Sequence, residues 1–127
     1  MNYNEVNEKL KELKIEDFIW LIYIIIIFMS WYSNYLERKY FIYNDTNSKE
    51  QYRKIIITIF SILIIVYIYF LISSYNDLKK IKENDNDKKK TLLFLSFIGS
   101  LLILISGFIF LYIAIKDENL DVELAFN

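Results

Sequence analysis

Asn84, Asp85, Asn86 and Asp87 stand in succession within the stretch ENDNDKKK, a density of oxygen ligands that suggests calcium chemistry. An EF-hand loop opening at Asp85 needs glycine at its sixth position and glutamate at its twelfth. Here those positions hold Lys90 and Ser96, so the stretch reads as a solvated polar turn with no metal site. The triplet Asn44-Asp45-Thr46 matches a glycosylation acceptor, which has meaning only in a eukaryotic lumen. The chain has no histidine and no cysteine, so the usual metal ligand, pH switch and thiol nucleophile are missing. Serine and tyrosine hydroxyls remain, but none has a base beside it in a recognisable pattern, and an unactivated hydroxyl is a poor nucleophile. There is no phosphate-binding glycine loop either, and the expectation is a non-enzymatic protein without cofactor or nucleic-acid partner.

Elements that position side chains are clearer than any chemistry. Apolar residues gather into three blocks without a single charge: Phe18 to Leu36, Ile55 to Tyr75 and Leu92 to Ile115. As helices these reach roughly 28, 32 and 36 Å, enough to cross a hydrocarbon core of about 30 Å. The middle block holds fourteen Ile, Leu, Phe or Val residues. At roughly 0.3 to 0.6 kcal/mol each, its insertion is favourable by about 4 to 8 kcal/mol. The fold expected is an all-α integral membrane protein, three transmembrane helices packed as a small bundle behind a short amphipathic N-terminal helix. Its segments are residues 1–17 (amphipathic helix), 18–36, 55–75 and 92–115 (spans), 37–54 and 76–91 (loops) and 116–127 (acidic tail).

Val6, Leu10 and Leu13 recur at helical spacing in the first segment, Glu5 and Lys9 pair on another face, and Asn2 with Glu5 has capping-box spacing. Five acids in the first seventeen residues, and no small-residue cleavage site, distinguish the first block from a cleaved signal. The amino-terminal segment and the second loop together carry nine Lys or Arg, against six in the first loop and tail. The positive-inside rule then sets the amino terminus in the cytoplasm, and the run Lys88-Lys89-Lys90 supports that side. Ile, Lys, Asn, Tyr and Phe supply 69 of 127 residues, and Pro, Gly, Ala and Arg only six. That skew fits an AT-rich genome and, with the charge pattern, a bacterial plasma membrane.

Both glycines fall in the third block, where rarity makes them informative. At 100° per residue, Ser96, Gly99, Ser100, Ser106, Gly107 and Ala114 lie within an arc of about 120°, and Ile103 shares that face. Small residues let backbones approach closely in lipid, so this is the expected packing face, with the third span as the central helix. Gly99→Leu and Gly107→Leu are expected to disrupt assembly more than Leu102→Ala. Tyr23, Ser30 and Asn34 form a narrow stripe of about 40° on the first span, suited to hydrogen bonding another helix or to a wetted lining.

In the tail, Leu120, Val122, Leu124 and Phe126 alternate with Asp121, Glu123 and Ala125, a strand periodicity. Either the terminus is loosely ordered, or it is a peptide that adds to a partner's sheet edge. Asp, Glu, Lys and Arg are absent from all three spans, which argues against proton relay or ion coupling. The expected function is that of an accessory, scaffold or immunity-type membrane component acting through helix packing. Its partners would be the lipid bilayer and a second copy or another membrane protein. The alternative is a homo-oligomeric pore or holin-like permeabilising effector, with Tyr23, Ser30, Asn34, Thr58 and Ser61 wetted.

Overall fold

The computed structural model describes residues 2–124 and contains three helices, α1 (Tyr3–Tyr43), α2 (Thr46–Lys79) and α3 (Asp87–Lys116). Their 41, 34 and 30 residues correspond to about 62, 51 and 45 Å of helix. Successive helices run antiparallel, and no strand occurs among the described residues. α2 packs against both neighbours, whereas α1 and α3 do not pack on each other among the described residues. The three helices therefore form a row with α2 in the middle.

Local chemistry sets the ends. Asn2 and Glu5 close a capping box on α1: Asn2 Oδ1 accepts from the Glu5 N–H at 2.9 Å, and Glu5 Oε2 accepts from the Asn2 N–H at 3.3 Å. Asn44 ends the helix in the left-handed region at φ 51°, a conformation asparagine tolerates. Asp45 at once caps α2, accepting from the Asn47 N–H and the Ser48 hydroxyl. Those bonds, led by the one from the Ser48 hydroxyl, hold the Asp45 carboxyl below its ordinary range. In the second connection Asp85 accepts from the Lys82 N–H, which likewise lowers its pKa, and Asn86 caps α3 through the Lys89 N–H at 2.7 Å. Within the Asn/Asp-rich turn, Asp85 and Asn86 thus each spend an oxygen on a backbone amide.

Three sequence expectations need correction. The amino-terminal helix runs without a break into the first apolar block as the opening turns of α1, but its apolar residues Val6, Leu10 and Leu13 stay exposed instead of packing, and Lys9 pairs with Glu12 at 4.0 Å instead of with Glu5. The loop placed at 37–54 shrinks to Asn44 and Asp45, and the loop at 76–91 to residues 80–86. Charge marks where a segment meets water but does not stop a helix, and neither segment contains proline or glycine to do so. Finally, the central helix is α2, not α3. Large side chains on two sides of α2, not small ones on α3, make the core.

Fully or nearly fully buried residues concentrate on α2: Tyr52, Ile56, Ile59, Phe60, Leu63, Ile64 and Val66. Phe60 is 1% exposed and stacks at a tilt against Phe110 of α3, ring centroids 5.6 Å apart. α1 contributes Ile19, Ile26 and Leu36, while α3 buries only Gly107 and Ala114. The outward faces are left apolar and uncovered, as with Trp20, Ile24 and Phe28 on α1 and Leu95, Leu102 and Ile109 on α3. The chain exposes 9248 Å², against about 7,200 Å² for a compact monomer of 15.4 kDa.

α2 and α3 are long and apolar enough to cross a membrane, and only 33% and 11% of their most apolar stretches are buried inside the chain. Such low coverage is unlike a core helix of a soluble protein.

Phe60→Ala is expected to cost about 3–5 kcal/mol in a reversible unfolding titration in mixed micelles. Leu102→Ala, on a side chain 60% exposed, should stay within about 0.5 kcal/mol.

Candidate functional site

The α2–α3 seam contains most of the small-residue face, but not all of it. Gly107 is buried, and a Cβ there would lie 3.2 Å from Tyr67 Cδ2 and 3.3 Å from Ile64 Cγ1. The two helices approach closely at that point because no side chain intervenes. Ala114 is buried two turns further on, and Ser106 borders a small cavity of about 100 Å³ with Gly107, Ile103, Phe60, Tyr67 and Phe110. Ser100 meets the buried Ser74 of α2 at 2.9 Å. Because the Ser100 hydroxyl directs its one proton to the Ser96 carbonyl at 3.0 Å, Ser74 is the donor across the seam. Ser96 itself is exposed, Ile103 is half exposed, and Gly99 faces open space within 4 Å.

The stripe on α1 is divided among different surroundings. Tyr23 is half-buried and meets Trp20 edge-on at 5.6 Å. Ser30 lends its carbonyl to the hydroxyl of Ser33, and Asn34 is exposed. Ser33, outside the stripe, is the residue α1 buries completely, with its hydroxyl bonded at 2.6 Å inside its own helix. Thr58 and Ser61 return their hydroxyls to the carbonyls of Lys54 and Ile57, which leaves no donor turned outward.

The densest polar assembly lies where α1 ends, α2 begins and α3 gives way to the tail. Arg53 Nη2 donates to the Ile115 carbonyl at 2.7 Å, supplying one of the carbonyls that a helix C-terminus leaves unpaired. Asp117 donates its N–H to Ile113 O, and its carboxylate accepts the N–H groups of Asp121 and Val122 at 2.9 and 2.8 Å. Leu120 adopts φ 56°, which breaks the alternation expected of a strand. The chain then folds back so that Leu124, 6% exposed, joins the core cluster with Leu36, Tyr52 and Ile56. Leu120 packs partly against the same cluster, Val122 is half exposed, and Phe126 lies outside the described residues.

Sequence spacing carried no sign of this clasp, whose Arg53–Ile115 bond alone spans 62 positions. The one local hint was the apolar residue at every second place, which supplied Leu124 but not its destination.

Beside Leu124, Glu37 of α1 accepts a hydrogen bond from Tyr52 and faces Glu123 of the tail across a shallow cavity bordered by Asn34 and Arg38. Burial pushes the Glu37 carboxyl up from its ordinary value, the Glu123 carboxylate pushes it further, and the Tyr52 hydroxyl pulls it back. For Asp117, burial acts upward, but the backbone N–H groups of Asp121 and Val122, together with Arg53, hold it below its ordinary value. No group of three or more metal-ligating side chains occurs among the described residues. No protein-family model matches this chain, and no characterised protein or solved structure is significantly similar to it.

Two outcomes are expected. Gly107→Leu should lower stability in micelles by about 1–3 kcal/mol through overpacking against Tyr67 and Ile64. Gly99→Leu should leave the single chain unchanged, so any loss of assembly it causes reports contact with a second molecule. The clasp should also respond to pH from both sides. Asp117, with its lowered pKa, stabilises the tail above the ordinary aspartate value of about 3.9 and loses that contribution as pH falls. Glu37, with its raised pKa, binds more protons folded than unfolded, so the clasp weakens as pH rises from about 4.3 through the raised value. Protection of the Asp121 and Val122 amides from hydrogen exchange should therefore peak in mild acid, and Glu37→Gln should remove the decline on the alkaline side.

Proposed function

We propose that this chain is a three-span integral membrane protein that acts through helix packing, as an accessory, scaffold or immunity-type component without catalytic activity. The observation that carries the reading is the bare apolar surface on both sides of the helical row. α2 satisfies its neighbours, while α1 and α3 each offer an uncovered face to lipid and to another helix.

α2 and α3 have the length and hydropathy to span a membrane. The case for a third span rests on α1 running antiparallel beside α2, with Ile19, Ile26 and Leu36 buried in the packing. Helices packed side by side share one depth, so residues 18–36, which carry no charge, occupy the same slab as the apolar part of α2. The excess of Lys and Arg before the first span and between the second and third supports an amino terminus on the cytoplasmic side. In lipid, apolar burial gives little drive between helices, so a partner is chosen by shape and close approach. Gly99 and Ser96 leave such a shallow strip on α3, available to a second copy or to another membrane protein.

The chain lacks cysteine, so single introduced cysteines report topology without background. Asn4→Cys and Asn84→Cys should react with an impermeant maleimide only from the cytoplasmic side, and Asn44→Cys and Asn119→Cys only from the other. Labelling of Asn4→Cys and Asn44→Cys from one side would show that α1 does not cross. Recovery of the chain in the soluble fraction would remove the membrane reading altogether. Leu102→Cys and Leu95→Cys should give crosslinked species in native membranes, and a chain that stays monomeric at every exposed α3 position would defeat the packing role.

A further inference from the structure

At the end of the row opposite the tail, α1 and α3 stand apart above the last turn of α2, and the gap is a groove of about 650 Å³. α1 lines it with Glu5, Glu8, Lys9 and Glu12. Asp77, Lys80 and Lys82 come from the end of α2 and the turn after it, and Lys89 from α3. Four carboxylates thus face four ammonium groups, and the groove as a whole is neutral. Its apolar lining is Ile81 and Leu93, and Leu93 also belongs to the uncharged stretch of α3.

We infer that this groove binds a zwitterionic phosphate ester bearing a primary amine, the headgroup chemistry of phosphatidylethanolamine. The inference rests on the membrane reading above for the depth of the groove, which lies just outside the spans with Leu93 at its border. Balanced charge favours a ligand that carries both signs over one that carries a net charge. The phosphate fits the ammonium groups of Lys82 and Lys89, and the amine fits the carboxylates of Glu5, Glu12 and Asp77. A primary ammonium has three N–H donors to spend on such carboxylates. A quaternary choline group has none and is held instead by aromatic faces, and no aromatic residue lines this groove.

The ion pairs already present give way readily. Lys80 to Glu8 at 3.5 Å and Lys9 to Glu12 at 4.0 Å join side chains that are one-third to two-thirds exposed, where a pair is worth about 0–1 kcal/mol, and Lys89, which meets Asp85 at 3.3 Å, has a side chain 56% exposed and three N–H donors, enough for a second acceptor. Asp77 and Lys82 are in no ion pair among the described residues.

The full chain in neutral detergent micelles is given equal amounts of phosphatidylethanolamine, phosphatidylcholine and phosphatidylglycerol, and retained lipid is read by native mass spectrometry. The ethanolamine lipid should be retained about tenfold over either competitor, the ratio given by ~1.4 kcal/mol of charge-assisted hydrogen bonding. The pair Lys82→Ala with Lys89→Ala and the pair Glu5→Gln with Glu12→Gln should each reduce it to the level of the choline lipid; glutamine at position 5 keeps the capping box. Equal retention of all three lipids, or preference for phosphatidylglycerol, overturns the site. Soluble phosphoethanolamine and inorganic phosphate are titrated in parallel, since neither requires a bilayer. Phosphoethanolamine binding that both variant pairs abolish, by a chain found to be soluble, would keep the groove while removing the membrane reading. Inorganic phosphate binding as tightly as phosphoethanolamine would reduce the groove to a basic patch and overturn the assignment.

Discussion

Everything else in the molecule depends on α2 being covered from two sides. Ile56, Ile59 and Phe60, each 2% exposed or less, fill the space that α1 and α3 would otherwise leave, and neither outer helix has an equivalent row of its own. A helix with one packed face keeps its position only while its single neighbour does. α3 therefore depends on the α2 seam at Gly107, Ala114 and the Ser74–Ser100 hydrogen bond, and α1 depends on Ile19, Ile26 and Leu36. In the membrane reading proposed above, dispersion across these lines does the work that a hydrophobic drive does in water.

The two ends of the row solve different problems. At one end the tail returns to the core, with Arg53 meeting a carbonyl that the end of α3 leaves unpaired and Asp117 holding the tail amides of Asp121 and Val122. At the other end, among the described residues, no contact bridges α1 and α3, and α1 is tied to the end of α2 by the exposed Lys80–Glu8 pair beside an open groove. The first is anchored by the buried Leu124 side chain and by bonds of 2.7 to 2.9 Å, and the second by contacts that exchange with water at little cost, so order at the two ends differs by construction.

Local features were legible in the sequence because their causes are local. The capping box of Asn2 and Glu5 and the stop of α3 at Lys116 follow from neighbours within four positions. The absence of charge from the three apolar stretches is visible in the same way. The glycines were legible only in part: a face of about 120° is wider than the line along which two helices touch, so Gly107 falls on the seam and Gly99 beside it. Charge-rich stretches were read as loops although only proline, glycine or a left-handed residue ends a helix with certainty, and Asn44 alone filled that role between α1 and α2. The meeting of Glu37, Tyr52, Glu123 and Leu124 had no local signature at all. It follows from helix lengths and register, which place residues from both halves of the chain at one level.

The position of Arg53 has a consequence in time. Its carbonyl partner at Ile115 comes 62 residues later, and Leu124 later still, so α1 and α2 leave the ribosome with their shared end open. At about 5 to 20 residues per second, that hairpin waits roughly 4 to 14 seconds for its closing piece. Translation order thus makes the residues that follow α3 the ones that seal the first two helices.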